Sequence, residues 1–269
     1  MKRLWTGILL IGLLSLSAMV AAASTTTVVS PADMHGWTFA QDPSAPQLGT
    51  GSGSLVNGPG TSPLGTGSAN LVVDDNGREV MANPAYAGVP LADITTLEYS
   101  TYRTAPATTT SVLAIALQFD IDYDLTDSNT DWQGRLVYEP YYNGTVVPGA
   151  WQTWDTMAGK WWASSGDGKL ECPISKACSW SDILSKFPNA GIRAGAGNTL
   201  FKAGGPWAGG FDGNIDAFTI GINGNDTTYD FEALTPPPSD MNQCKNDGWQ
   251  AFNNPSYRNQ GACVSSVVS

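Results

Sequence analysis

The sequence predicts an all-β protein: an antiparallel β-sandwich or jelly roll with one short surface helix and a small disulfide-closed C-terminal appendage. Three observations predict it. The 269 residues include 30 Gly and 17 Pro, and only 14 % are charged, a balance that favours turns over helices. Apolar and polar residues alternate without a break from Leu113 to Leu125, the period of a strand buried on one face. Short strand-like runs recur between turn signals along most of the chain, as they do in sandwiches.

The opening MKRLWTGILLIGLLSLSAMVAAAS carries Lys2 and Arg3, an apolar run from Leu4, and small residues at Ala21 and Ala23. That is the layout of a secretory signal peptide over residues 1–23, cleaved after Ala23, and it predicts a secreted, extracellular protein. No later apolar run is long enough to span a bilayer, so no membrane insertion is expected.

Residues 24–234 are assigned to the sandwich. Ser24–Ser30 reads as a flexible lead-in, and the Gly/Ser/Pro/Thr-rich stretch Gly49–Gly67 as loop and turn. Strands are predicted at Ala69–Val73, Thr96–Arg103, Val112–Asp124, Trp132–Tyr142 and Ile215–Ile222. Asn223-Gly224 before Thr227–Phe231 is a hairpin signal. The helix falls in CSWSDILSKFPNAG, where Trp180, Ile183, Leu184 and Phe187 form one apolar stripe. Ser179 caps it and Pro188 stops it. TPPPSD, residues 235–240, predicts a stiff spacer. Residues 241–269 are too short for a core of their own; their large apolar groups are Trp249, Phe252 and Tyr257.

Four Cys in an oxidising compartment predict two disulfides. Three pairings are open; Cys172–Cys178 and Cys244–Cys263 are favoured because each closes a local loop. No tight Cys-x-x-Cys spacing suits zinc, and His35 is the single His. A Ser-His-Asp or Cys-His machine would have to use His35, which reads as surface or structural. The chain has 24 acidic and 13 basic residues, net charge −11. Such a charge repels nucleic acid and anionic membranes but tolerates neutral glycans and cations. The expected partner is therefore a glycan or cell-surface component, with no nucleic acid; the oligomeric state stays open.

Candidate chemistry concentrates in Gln118–Gly134, QFDIDYDLTDSNTDWQG, with five aspartates. In a strand, Gln118, Asp120, Asp122 and Asp124 share one face, and Leu117, Phe119, Ile121 and Tyr123 the other. Folding back through TDSNT pairs Asp124 with Asp131, Asp122 with Gln133 and Asp120 with Arg135. It also sets Phe119 opposite Leu136 and Tyr123 opposite Trp132, so polar meets polar and apolar meets apolar. Arg135 then offsets part of the negative charge. Trp151, Trp154, Trp161 and Trp162 follow closely. Amides and carboxylates bond sugar hydroxyls and an aromatic face stacks on the ring. The candidate ligand-binding set is Asp120, Asp122, Gln133, Arg135, Glu139, Tyr141 and Trp154. The plain alternative is a solvated sheet face with the tryptophans in the core.

Two other chemistries compete. No cofactor is expected, but Asp127, Asn129 and Asp131 alternate as in a calcium loop, lacking its Gly and its terminal Glu. Hydrolysis of a glycoside needs two carboxyls ~5–9.5 Å apart, and strand neighbours at i, i+2 lie ~6.6 Å apart. Asp120 and Asp122 are the alternative catalytic pair, and the chain is read as leaning away from enzyme.

Resemblances add to this. Laminarinase- and lichenase-like hydrolases also carry alternating carboxylates on one jelly-roll strand, usually Glu-x-Asp-x-Glu or a bulged variant, where this chain has Asp120, Asp122 and Asp124. GFDGNIDAFTIG resembles the closing strand of laminin-G-like and concanavalin-type lectin sandwiches through Gly213, Ile215, Asp216 and Ile220. In some jelly-roll carbohydrate-binding modules a terminal-strand Asp helps hold a structural calcium, and Asp216 is the matching position. More broadly, LADITTLEYSTY, LQFDIDYDLTD, WQGRLVYEPY, FPNAGI and the ending CKNDGWQAFNNPSYRNQGACV resemble a set of bacterial secreted β-sandwich proteins with a C-terminal two-cysteine motif. That resemblance implies fold and secretion and assigns no activity. Together these features predict a non-catalytic module for glycan or cell-surface recognition. A jelly-roll glycoside hydrolase and a structural extracellular surface protein are the alternatives.

Overall fold

A computed structural model describes residues 23–43, 46, 48–104, 113–205, 207, 209–233, 237–252 and 255–268. The predicted signal peptide up to residue 22, Val112 and residues 235–236 of the Pro-rich spacer lie outside the described residues.

The strands run in chain order as β1 (Ser24–Val29), β2 (Thr38–Ala40), β3 (Gly51–Asn57), β4 (Gly67–Val73) and β5 (Arg78–Asn83). There follow β6 (Ile94–Arg103), β7 (Ala116–Asp122), β8 (Arg135–Tyr138), β9 (Trp151–Asp155) and β10 (Lys160–Ala163). The last are β11 (Cys178–Ser179), β12 (Gly191–Ile192), β13 (Thr199–Gly204), β14 (Phe211–Ile222) and β15 (Asn225–Phe231). Short helices are α1 (Pro140–Asn143), α2 (Gly166–Glu171), α3 (Trp180–Lys186) and α4 (Gln260–Val267).

Two sheets form the sandwich. The first has the order β1-β15-β14-β4-β3, with β6 also on β14 and β9 on β6. The second has the order β11-β10-β8-β7-β13-β5-β2, with β12 on β7. Leu117, Phe119 and Ile121 point inward and are fully buried. Aromatic rings fill the space between the sheets. Trp37 stacks on Phe201 at 5.7 Å between centroids and meets Phe218, Tyr229 and Phe231 edge-on. Phe119 stacks on Trp161 at 5.5 Å, and Trp161 touches Trp180 of α3 at 5.4 Å. Such pairs add to the burial of large apolar surface.

The predicted register of β7 on β8 holds for Phe119 with Leu136 and Asp120 with Arg135, but the ladder ends there, so Asp122–Gln133 and Asp124–Asp131 do not form strand pairs. The helix α3 starts at a capping box, with Ser179 Oγ accepting from Asp182 N at 3.1 Å and Asp182 accepting from Ser179 N at 3.0 Å. Both favoured disulfides form, Cys172–Cys178 with Cα atoms 5.4 Å apart and Cys244–Cys263 with 5.7 Å. The first pins the chain into α3. The second joins the turn Met241–Cys244 to α4. No helix among the described residues is long and apolar enough to cross a membrane.

Several expectations are corrected. Ser24–Ser30 is not a loose lead-in: β1 pairs in parallel with β15 from Ser24↔Asp226 to Val29↔Phe231. Its Thr and Val residues are β-branched and suit a pleated edge. Within Gly49–Gly67, β3 pairs with β4 along its whole length. Its glycines serve close packing, since a Cβ at Gly53 would strike the Phe39 ring. The strand predicted over Trp132–Tyr142 shrinks to Arg135–Tyr138. Gly134 at φ 109 breaks the ladder before it, and Pro140 opens α1 after it. Trp132 consequently does not sit opposite Tyr123 in the core; it is 46 % exposed.

Candidate functional site

Alternation along β7 sends Gln118 and Asp120 to the outer face of the second sheet. Cross-strand registers extend that face on both sides. One row runs Thr38, Ala82, Leu200, Gln118, Val137 and Trp162. The next brings Asp120 beside Arg135.

This face is not solvated, as the plain alternative expects. The segment after β2 lays Asp42 across it, and Asp42 is completely buried. Arg135 donates Nη1 and Nη2 to the two oxygens of Asp42, each at 3.0 Å, and Nε to Asp120 Oδ1 at 3.0 Å. Lys202 Nζ reaches Asp42 Oδ2 at 2.5 Å. Burial alone would raise the Asp42 carboxyl, but Arg135 and Lys202 outweigh it and hold the group well below the ordinary carboxylate range. The second oxygen of Asp120 accepts from Asn198 N at 3.1 Å and Asn198 Nδ2 at 3.0 Å. Two anions and two cations are thus locked in one network.

Three depressions open on this surface. One of about 580 Å³ is lined by Asp120, Arg135, Arg193 and Asn198 together with aliphatic side chains of β2, β5 and β13. A second, of about 270 Å³, is lined by Gln118, Val137, Trp162, Ser164 and Lys202 among others. A third, of about 440 Å³, lies against Asn129, Gln133 and Asp167. Trp132 lines all three. Arg193 is anchored through its backbone N to Asp120 O at 2.9 Å and through Nε to Thr130 O at 2.8 Å.

The predicted site residues divide accordingly. Asp120 and Arg135 come together and line a depression. Asp122 and Gln133 also meet, Gln133 Nε2 donating to Asp122 Oδ1 at 3.0 Å, but Asp122 is only 2 % exposed and lines none of the three. Its Oδ1 also accepts from Asp124 N at 3.0 Å. Both carboxylates of the alternative catalytic pair, Asp120 and Asp122, therefore hold fixed structural partners. Glu139 lies one step past β8, half-buried, with its carboxyl pushed up to about 7 by burial against the opposing pull of Tyr141 and Lys202. Tyr141 stands not on a strand but on α1, its ring 4.0 Å from that of Tyr142.

Trp154 is misplaced by the sequence argument. It sits on β9 in the first sheet, buried, with Nε1 bonded to Thr101 Oγ1 at 2.8 Å. Of the four nearby tryptophans, Trp162 alone lines one of these three depressions. Asp42, Arg193, Asn198 and Lys202 lie outside the predicted set, and Trp132, predicted opposite Tyr123 in the core, belongs to the surface instead. Trp132 carried a signal in its loop position beside Gly134; Asp42 carried none, being 93 residues from Arg135.

The calcium positions are not assembled into one site. Asp127 and Asn129 each turn a side-chain oxygen onto a backbone N–H two residues ahead, at 2.7 and 3.0 Å. Asp216 lies on β14 in the other sheet, completely buried, accepting from Leu64 N and Phe231 N at 2.8 and 3.2 Å. Burial pushes its carboxyl up to about 7 despite those bonds.

No family model matches the sequence, and no curated protein matches it. Solved structures similar to the chain include carbohydrate-binding modules. One comes from a study of promiscuous specificity in modules of the β-sandwich superfamily, at 12 % identity and a TM-score of 0.34. That match covers 69 % of this chain and 56 % of the other, so the chain spans little more than half of that relative's length. The family 11 module of the cellulosomal cellulase Lic26A-Cel5E of Clostridium thermocellum shares 9 % identity at a TM-score of 0.38, covering 70 % of this chain and 88 % of that one. TmCBM61, solved with β-1,4-galactotriose, shares 10 % identity at a TM-score of 0.33, covering 69 % and 88 %.

Proposed function

We propose that this chain is a secreted, non-catalytic recognition module that binds glycan on the outer face of its second sheet. One observation carries the proposal. Trp132, 46 % exposed, stands where three depressions meet over a polar floor whose charges are already locked in place. An exposed indole offers a flat apolar face to a sugar ring. Asp120, Asn198, Gln118 and Arg193 offer acceptors and donors to hydroxyls around it. Because Arg135 fixes Asp120 and Gln118 before any ligand arrives, little ordering is left to oppose binding. Asp120 serves here as an acceptor, in place of the catalytic role open to it in sequence.

The test is co-sedimentation of the mature protein with a panel of insoluble polysaccharides. Retention by at least one polymer is expected, and Trp132→Ala should weaken it about tenfold or more with melting unchanged. Retention by no polymer sinks the proposal.

A further inference from the structure

One wall of the 580 Å³ depression has no role in holding a bare sugar. On the β2–β5–β13 side it carries neither aromatic ring nor charge; Ala40, Pro43, Val80, Ala82 and Leu200 line it, and the Thr38 hydroxyl at its end is turned onto Ala82 O at 3.5 Å. The registers Ala40↔Val80 and Ala82↔Leu200 set these residues side by side, so the wall is a continuous aliphatic strip. Val80 and Leu200 are buried at its base, while Ala82 is half-buried and Ala40 exposed at its rim. A sugar hydroxyl pressed against this strip would lose its water without gaining a partner. A methyl group would not.

The same depression holds a complementary group. Arg193 spends Nε on Thr130 O, and no described carboxylate forms an ion pair with it. Its remaining guanidinium N–H groups suit a carbonyl oxygen. A methyl and a carbonyl on one short substituent make an acetyl group. Resting on the glycan reading above, we infer that the preferred ligand is an acetylated glycan. The acetyl methyl lies on Ala82, Val80 and Leu200, and the acetyl oxygen accepts from Arg193.

Two matched pairs of probes test this. The first is a β-1,4-linked N-acetylglucosamine oligomer against the glucose oligomer of equal length and linkage. The second is O-acetylated xylan against the same xylan after alkaline deacetylation. In at least one pair the acetylated member should bind about tenfold tighter or more, the discrimination that a small apolar group in a fitted pocket provides. Which pair shows it tells an acetyl on nitrogen from one on oxygen. Ala82→Asn and Leu200→Ala should each narrow that ratio to within about threefold. The ratio is read on one folded sample, so general loss of stability does not imitate the result. Equal binding within both pairs, or binding only to an unacetylated polymer, overturns the acetyl inference and leaves glycan recognition standing. Binding to nothing in either the pairs or the polysaccharide panel overturns both.

Discussion

Arg135 and Asp42 meet through two parallel hydrogen bonds of 3.0 Å, Nη1 to Oδ2 and Nη2 to Oδ1, across 93 positions of sequence. The same guanidinium holds Asp120 at 3.0 Å. A bidentate pair of this kind fixes direction as well as distance, so the segment after β2 is clamped onto the second sheet at one point. Removing Asp42 would leave Arg135 and Lys202 short of an anion in a buried place. Asp42→Ala should cost about 3–5 kcal/mol, read from urea unfolding. A loss below about 1 kcal/mol would mean that entering water solvates the two cations or that another carboxylate replaces Asp42.

Stability should respond to pH from two sides. Asp42 is held below its ordinary 3.8 in the fold, so its contribution is present above that pH and is lost as pH falls through the lower folded value. Glu139 and Asp216, each raised to about 7, and Glu79, raised to about 6, act in the opposite sense. Burial is the first cause in all three. The folded chain then binds more protons than the unfolded one between the ordinary carboxylate pKa and those raised values, so stability is greatest below the former and declines as pH rises. Melting should peak near pH 4–5 and fall towards pH 8. Asp216→Asn should flatten that decline; a profile rising from pH 5 to 8 would contradict it.

The Cys244–Cys263 bond should stabilise only its own neighbourhood. It ties the turn Met241–Cys244 to α4, which Asn259 caps through Ala262 N at 2.8 Å. Among its described residues the apolar packing is the Phe252–Tyr257 ring contact at 6.0 Å around the buried disulfide. Replacing both cysteines by serine should release about 3 kcal/mol of loop constraint. The expected result is rapid proteolysis beyond residue 240 with the melting of the sandwich unchanged.

What was legible in sequence followed from local rules. The β7–β8 register was readable because alternation forces polar against polar, and Asp120 does face Arg135. The α3 cap and both local disulfides were readable from spacing. The candidate face is only half readable. Which sheet a tryptophan joins depends on long-range topology, so sequence proximity puts Trp154 on a face it never reaches. Asp42 and Asn198 complete the network from segments 78 or more residues away, a distance that periodicity does not span. Ser24–Val29 escapes local rules because Thr-rich spacers and edge strands share a composition, and a parallel partner decides between them.

Asp122 separates recognition from hydrolysis. Its Oδ1 takes the Gln133 amide and the Asp124 N–H, both at 3.0 Å, and shapes the turn that leads into the Trp132 loop. A carboxylate so bonded and only 2 % exposed is placed for a structural role in this fold. Asp122→Ala should therefore act through stability, costing about 1–2 kcal/mol by leaving two half-buried donors without an acceptor. Its effect on glycan retention should be smaller than that of Trp132→Ala, because Trp132 lines the depressions and Asp122 does not. The wild-type chain should release no reducing ends from the polymer that retains it. Release by the wild type, lost in Asp122→Asn with folding intact, would instead place a catalytic pair on Asp120 and Asp122, and the network around Arg135 would then have to open during turnover.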